Sequence, residues 1–572
     1  MSDTVSTRSK TVSSTDSEST EGPLIEDRWT NNISYRQLVI SSCIGILQVW
    51  WHPYLHDFAR FLPFLFLYNL FSVFFAYPLF YLELALGVVT RKGVLNSWDM
   101  SPSARGIGIA MLITSTFTVL SLGVVSAWCL ALTVHSMHSF LPWLHCAADA
   151  NPPCAARHRP LPEGSETPAQ SFFFNFVLNL KRNGLSDGLG NVVPELTVYY
   201  VISWILVYLI ACKRIYSYSK MVLFKDALTY FSLVVCAVGV TRLNGASRMF
   251  TECDWGVLFN GFQVWREAIE YSFLQMCVSQ GTLIMLGSYC PKQKQKLTNT
   301  AMLAFAVSKT CCTGTAFILG AVHGALHLDY DNSTRIWGGT SSSIVLWSDY
   351  VARIPGSQFW SFLIFFSLFV LSLSSMALLV QTIISTFTGR LVRKIRWAFL
   401  ILICFLFCFI GILTLCTQGG LYILNFLMRW PVSKPRAPIA AVLTLVVTFV
   451  YGQTAFCEDV YFAVGEYPSV FLRICWALAP LILMVLVMEA IFCQSTFLSG
   501  KSYGLFEASI GWTLVSLTLL PIVIVMLLYL IFKFRVRVCI YKLFTRTAFL
   551  SNTPSHRRGI MSILLIKISF RI

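Results

Sequence analysis

The run "LPFLFLYNLFSVFFAYPLFYLELALGVV" (62–89) carries a single charge, Glu83. It is longer than the roughly 20 apolar residues that cross the hydrocarbon core of a bilayer. Similar runs recur along the chain, the last being "GWTLVSLTLLPIVIVMLLYLIFKF" (511–534). Backbone groups in lipid must be satisfied within their own segment, so helices are expected. Composition agrees: 56% of residues are hydrophobic, 12% are charged, and the mean hydropathy is +0.66. A water-soluble domain carries more charge and shorter apolar runs.

Twelve spans are predicted, near 35–57, 61–90, 107–140, 193–212, 220–243, 263–289, 298–326, 359–388, 396–416, 422–452, 470–494 and 510–534. Twelve crossings put both termini on one side. The short loops on that side are basic ("TRKG", "CKRIYSYSK", "PKQKQK", "GRLVRKIR"), so that side is cytoplasmic. Residues 1–30 are polar, lack the apolar core of a signal peptide, and read as a disordered cytoplasmic tail. Residues 31–535 form the membrane domain, 143–192 an extracellular loop, and 536–572 a second, basic cytoplasmic tail. The net charge of +16 is thereby accounted for by anionic lipid headgroups, without nucleic acid. One outer segment, "MRWPVSKPR" (428–436), breaks the charge rule with three positive residues.

Cys146 and Cys154 fall in the extracellular loop, an oxidising compartment, and are expected to form a disulfide. Most other cysteines lie in or beside spans as small packing residues. Asn332-Ser333-Thr334 is an outer N-glycosylation sequon.

"PLFYLELALG" (78–87), "SAWCL" (126–130), "FLPWLHC" (140–146), "TQGGLY" (417–422) and "GEYPSVFLRICWALAP" (465–480), in this order and topology, resemble the neurotransmitter:sodium symporters, solute carrier family 6. The resemblance covers about residues 29–534 and suggests a divergent animal member. It implies an all-α fold in which spans 1–5 and 6–10 are inverted repeats and spans 1 and 6 are broken in mid-membrane. Unwound carbonyls there hold sodium, and half-helix N-termini face an anionic substrate group.

Mapped onto that family, "IGILQVWWHPYLHDF" (44–58) is much altered. Gln48 replaces an asparagine that ligates the first sodium, and Gln275 takes a hydroxyl position of the same site. Gly45 stands where amine carriers have aspartate, which argues against a monoamine. The resemblance places the substrate pocket at Cys43, Gly45, Ile46, Leu122, Leu274, Cys277 and Gln280. Trp51 and Met428 replace the charged pair of the outer gate, so an apolar gate is expected. Tyr271 replaces a chloride-binding glutamine, while Tyr68 is kept. The second sodium site survives better, as the carbonyls of Ser41, Ile44 and Leu371 with the hydroxyls of Ser374 and Ser375. Alternatively, those serines bond back to their own helix.

Two features stand outside the family pattern. His52 and His56 are four apart, and eight of the nine histidines map to outer ends or loops, either half-solvated at the interface or forming an outer zinc or proton-sensing site. No transition-metal site is favoured over sodium. Lys309 lies inside span 7, where a charge costs about 2.5–3.5 kcal/mol to insert. It is expected to fill the degenerate first sodium site beside Gln48 and Gln275, with Glu83 as counter-charge, or else simply to pack locally.

The sequence thus predicts a plasma-membrane carrier rather than an enzyme. It would move a small organic, amino-acid-like solute by sodium symport, with no cofactor beyond the coupling ion, a lipid bilayer as surroundings, and homo-oligomerisation possible. The alternative is a transport-dead relative acting as sensor, chaperone or scaffold.

Overall fold

The computed structural model describes residues 32–535, except 56, 147–152, 155–164, 186–187, 213, 292–295, 331–338, 388–395 and 493–504. Ten helices in it are long and apolar enough to cross a membrane. Two more spans are each split in two. Span 1 is Asn32–Ser42 and Ile46–Trp50, and span 6 is Gln263–Gln275 and Thr282–Ser288. With these the described residues form twelve spans. The unbroken ones are span 2 (Phe58–Thr90), 3 (Pro102–His135), 4 (Pro194–Cys212), 5 (Arg214–Val240), 7 (Leu297–Tyr330), 8 (Ser357–Ser385), 9 (Arg396–Thr414), 10 (Gly420–Val464), 11 (Val470–Phe492) and 12 (Leu505–Arg535). Among the described residues, extended pairing is confined to two isolated bridges.

Burial tells the centre from the rim. Spans 2, 3 and 8 are mostly buried, whereas spans 9, 11 and 12 turn most of their apolar surface outward. Outward-facing side chains such as Phe405, Leu481 and Val485 suit lipid, in which apolar exposure carries no penalty. Span 3 packs along span 8 and span 12, span 1 packs on spans 5, 7 and 8, and span 6 on span 2.

Local chemistry explains the irregularities. Pro78 has no N–H to give its span, and the π-turn Ser72–Ala76 just before it absorbs the mismatch. Span 10 has the same device at Met428–Ser433, around Pro431. Gly87 of span 2 and Gly287 of span 6 face one another so closely that a Cβ on either would strike the other helix's backbone.

The break in span 6 has backbone of another kind. Cys277 (φ 55°), Ser279 (φ 62°) and Gly281 (φ 77°) are all left-handed. Only glycine adopts this region without cost, so two side-chain-bearing residues are held there under strain.

Candidate functional site

The two breaks meet at the centre, where two glutamines tie them together. The Gln48 carboxamide accepts from the Gly45 N–H at 2.9 Å and donates to the Gln275 carbonyl. Gln275 returns a bond from its own Nε2 to the Leu47 carbonyl at 2.6 Å. All of these groups are buried. The polar ends that chain-breaking exposes are thus satisfied by amide groups of the protein itself. The Ile46 N–H is occupied as well, donating to Ser375 Oγ at 3.2 Å.

Most of the expected pocket residues lie in the interior. Cys43, Ile46, Leu122, Leu274 and Gln280 are buried, and Cys277 lies within electrostatic range of Cys43. At Gly45 a Cβ would come 2.6 Å from Ser375 Oγ and 3.1 Å from Gln48 Oε1. An aspartate there would displace both side chains.

A residue that the sequence reading placed in an outer loop completes this region. Arg436 is wholly buried. Its guanidinium donates to the carbonyls of Val432 and Val278, both at 2.8 Å, and to Thr118 Oγ1 at 3.3 Å. The Gln280 amide oxygen accepts from both terminal nitrogens. The apparent exception to the charge rule therefore has a structural cause: one of the three positive residues of 428–436 is an internal group.

Glu83 accepts from the Ser279 N–H at 2.7 Å and lies in the field of Arg436. Its counter-charge is thus Arg436, and the expected pairing with Lys309 is corrected. The Lys309 ammonium is not placed on Gln48 and Gln275 either. It sits 3.2 Å from the centroid of the Tyr68 ring and donates to Ser72 Oγ, in the π-turn of span 2. A ring face and a hydroxyl that itself donates to the Tyr68 carbonyl hold it there.

Tyr271 fills the remaining space near Tyr68. Its hydroxyl donates to the Trp51 carbonyl at 2.7 Å and meets His52 Nδ1 at 2.9 Å. The rings of Tyr68 and Tyr271 are 5.0 Å apart. Trp51 and Met428, the expected outer gate, line one vestibule of about 90 Å³. Glu270 and Arg429 line it too, so this region carries charge and is not the apolar gate expected.

The second sodium-like site shows another unforeseen residue. The carbonyls of Ser41 and Ile44 each accept from the Lys225 ammonium at 2.7 Å. Ser375 Oγ donates to the Leu371 carbonyl at 3.0 Å, and Ser374 Oγ donates to the Tyr218 hydroxyl at 3.1 Å. The signal for Lys225 was available: "LFKDALTYF" sets Lys225-Asp226 in an apolar run, the same anomaly that singled out Lys309.

Cys146 and Cys154 form a disulfide with Cα atoms 5.5 Å apart. The histidines are less solvated than expected. His52, His135 and His323 are buried, the His323 ring packing at a tilt against Phe58 with 4.4 Å between ring centres, while His138 and His145 are exposed. Among the described residues no group of three histidine, cysteine or acidic side chains is placed to hold a metal. His56 and Asn332 lie outside the described residues.

Comparison with known proteins fits this arrangement. The model of the Sodium:neurotransmitter symporter family matches residues 26–533. The sodium- and chloride-dependent glycine transporter 2 of Xenopus laevis is 25% identical, over 88% of this chain and 69% of its own length. The sodium-dependent serotonin transporter of Drosophila melanogaster is 27% identical, over 89% and 83%. The creatine transporter of Torpedo marmorata is 27% identical, over 85% and 82%. The crystal structure of MhsT in complex with L-phenylalanine superposes with a TM-score of 0.64 at 16% identity, over 81% of this chain and 99% of that one, and shows the shared fold. A family match over nearly the whole chain, with broken spans 1 and 6 meeting at the centre, places this multi-pass membrane protein in the Sodium:neurotransmitter symporter family, a family of transporters and not of enzymes.

Proposed function

We propose that the chain is a secondary transporter of a small organic solute bearing a carboxylate, amino-acid-like rather than a monoamine, at the plasma membrane with both termini cytoplasmic. The observation that carries this reading is Arg436. Arg436 bonds to Gln280, one of the residues the resemblance puts in the pocket, and a buried guanidinium beside it favours a carboxylate over an ammonium, while a side chain at Gly45 would press on Ser375 and Gln48. Sodium coupling, which the resemblance implies, is the part of the expectation that the geometry supports least, because side chains of the protein hold the ligands expected for both ions.

The amide ties between the breaks favour a second reading, a family member that moves nothing. Uptake into proteoliposomes decides between them, using labelled amino acids and amines with and without an inward sodium gradient. Saturable uptake of an amino acid, lost in Arg436→Gln, supports the first reading. Uptake of a monoamine alone refutes it. No uptake and no ligand-induced thermal stabilisation favours the second.

A further inference from the structure

Lys225 lies within span 5, and its side chain runs inward to the break of span 1. It is 1% exposed. An ammonium has three N–H donors. Here two go to the carbonyls of Ser41 and Ile44, both at 2.7 Å, and the third faces Asp226 Oδ1 at 3.2 Å. Asp226 is tied into the same knot, its Oδ1 accepting from the Ser41 hydroxyl at 2.9 Å.

Both carbonyls sit where the first half of span 1 runs out. A helix end presents its last carbonyls and the negative end of its dipole, an arrangement that attracts a cation, and the Ser41 carbonyl accepts from the Ile44 N–H at 3.0 Å besides. These are the two carbonyls assigned above to the second sodium ion. The three other ligands expected for that ion are engaged as well: Ser375 with Leu371, and Ser374 with Tyr218. A sodium ion bonded to the Ser41 and Ile44 carbonyls would lie at contact distance from the ammonium, and like charges at that range exclude each other. Among the described residues, the thiols of Cys43 in the break of span 1, Cys277 in the break of span 6 and Cys311 of span 7 also lie within electrostatic range of Lys225. Asp226 is the one acid among these neighbours.

We propose that Lys225 is the resident cation of this site: its ammonium holds the carbonyl end of the broken span 1 in place of a sodium ion, so the site takes no sodium. The inference concerns an ion site and stands whether or not the protein moves a solute, so a failed uptake experiment leaves it intact.

The test is thermal unfolding of the purified full-length protein in detergent, in sodium, potassium or N-methylglucamine chloride at constant ionic strength. The wild type is expected to melt at one temperature in all three. Lys225→Ala leaves the two carbonyls and Asp226 without their cation, and should melt at least about 5 °C lower in N-methylglucamine. Sodium, and not potassium, should recover part of that loss by entering the vacated site. Lys225→Ala melting like the wild type would overturn the proposal. So would a saturable, sodium-specific stabilisation of the wild type that disappears in Ser374→Ala/Ser375→Ala. This second measurement uses only variants that leave Lys225 in place, and it decides the matter should Lys225→Ala not accumulate as folded protein.

Discussion

Replacing Gln48 by leucine keeps the side chain's bulk and removes both of its hydrogen-bonding ends. The Gly45 N–H loses its acceptor and the Gln275 carbonyl loses its donor, and both are buried at the junction of the two breaks. An orphaned buried polar group costs about 1–3 kcal/mol, so Gln48→Leu, which orphans two, should destabilise by roughly 2–6 kcal/mol. Gln275→Leu strands only the Leu47 carbonyl. It also removes Gln275 Oε1, a buried oxygen that accepts no bond from the protein. Its cost should therefore fall near the lower end, about 1 kcal/mol. The two side chains serve one junction, so the double variant should cost less than the sum, with a coupling of at least about 0.5–1 kcal/mol. Equilibrium unfolding of the four proteins in mixed micelles measures all three numbers. Additivity within about 0.3 kcal/mol would show that the glutamines act separately, and a Gln48→Leu cost below about 0.5 kcal/mol would remove the junction from the account.

Cys277→Gly should raise stability by about 0.5 kcal/mol, since relief of a left-handed side chain outweighs the entropy that glycine adds to the unfolded chain; a lower melting temperature would contradict this. Asp99, in the loop between spans 2 and 3, is raised by burial but pulled further down by Lys92 at 2.7 Å and Arg105 at 2.5 Å, so its carboxyl sits below the ordinary range. Its contribution is then complete above the unfolded value of about 3.9 and fades as pH falls through the lower folded value, so Asp99→Asn should melt below the wild type at pH 7 and the gap should close only under acid. A gap that is constant from pH 7 to pH 3 would rule out ionisation as its source. Mass mapping without reduction should find Cys146 and Cys154 joined, and Cys146→Ala should lower the amount of protein at the cell surface.

The spans were legible because hydrophobic length is a one-dimensional property. The broken helices were not visible in that signal: the second half of span 1 has five residues, and only the resemblance located it. Site positions transferred by register, which is why Gln48 and Gln275 were found as a pair. What they bond to was not transferable, because each amide chooses between an ion, a substrate and a carbonyl according to distances in space. The buried cations show the same limit more sharply. Lys309 was noticed as a charge in an apolar run, but its partner was sought in a carboxylate, and it has an aromatic face instead. Lys225 passed unremarked beside Asp226, and Arg436 was counted among the positive residues of an outer segment. Charge in sequence states that a partner must exist, and the fold decides which one.

The facing glycines of spans 2 and 6 have a mechanical consequence. Backbone against backbone at Gly87 and Gly287 leaves no side-chain layer to rearrange, and such a joint transmits force without slip. Span 2 and the second half of span 6 therefore behave as one lever. Any swing of that lever relative to Gln263–Gln275 must be taken up in residues 276–281, where two side-chain-bearing residues already sit in left-handed backbone. That segment is the bearing of the machine, loaded even at rest.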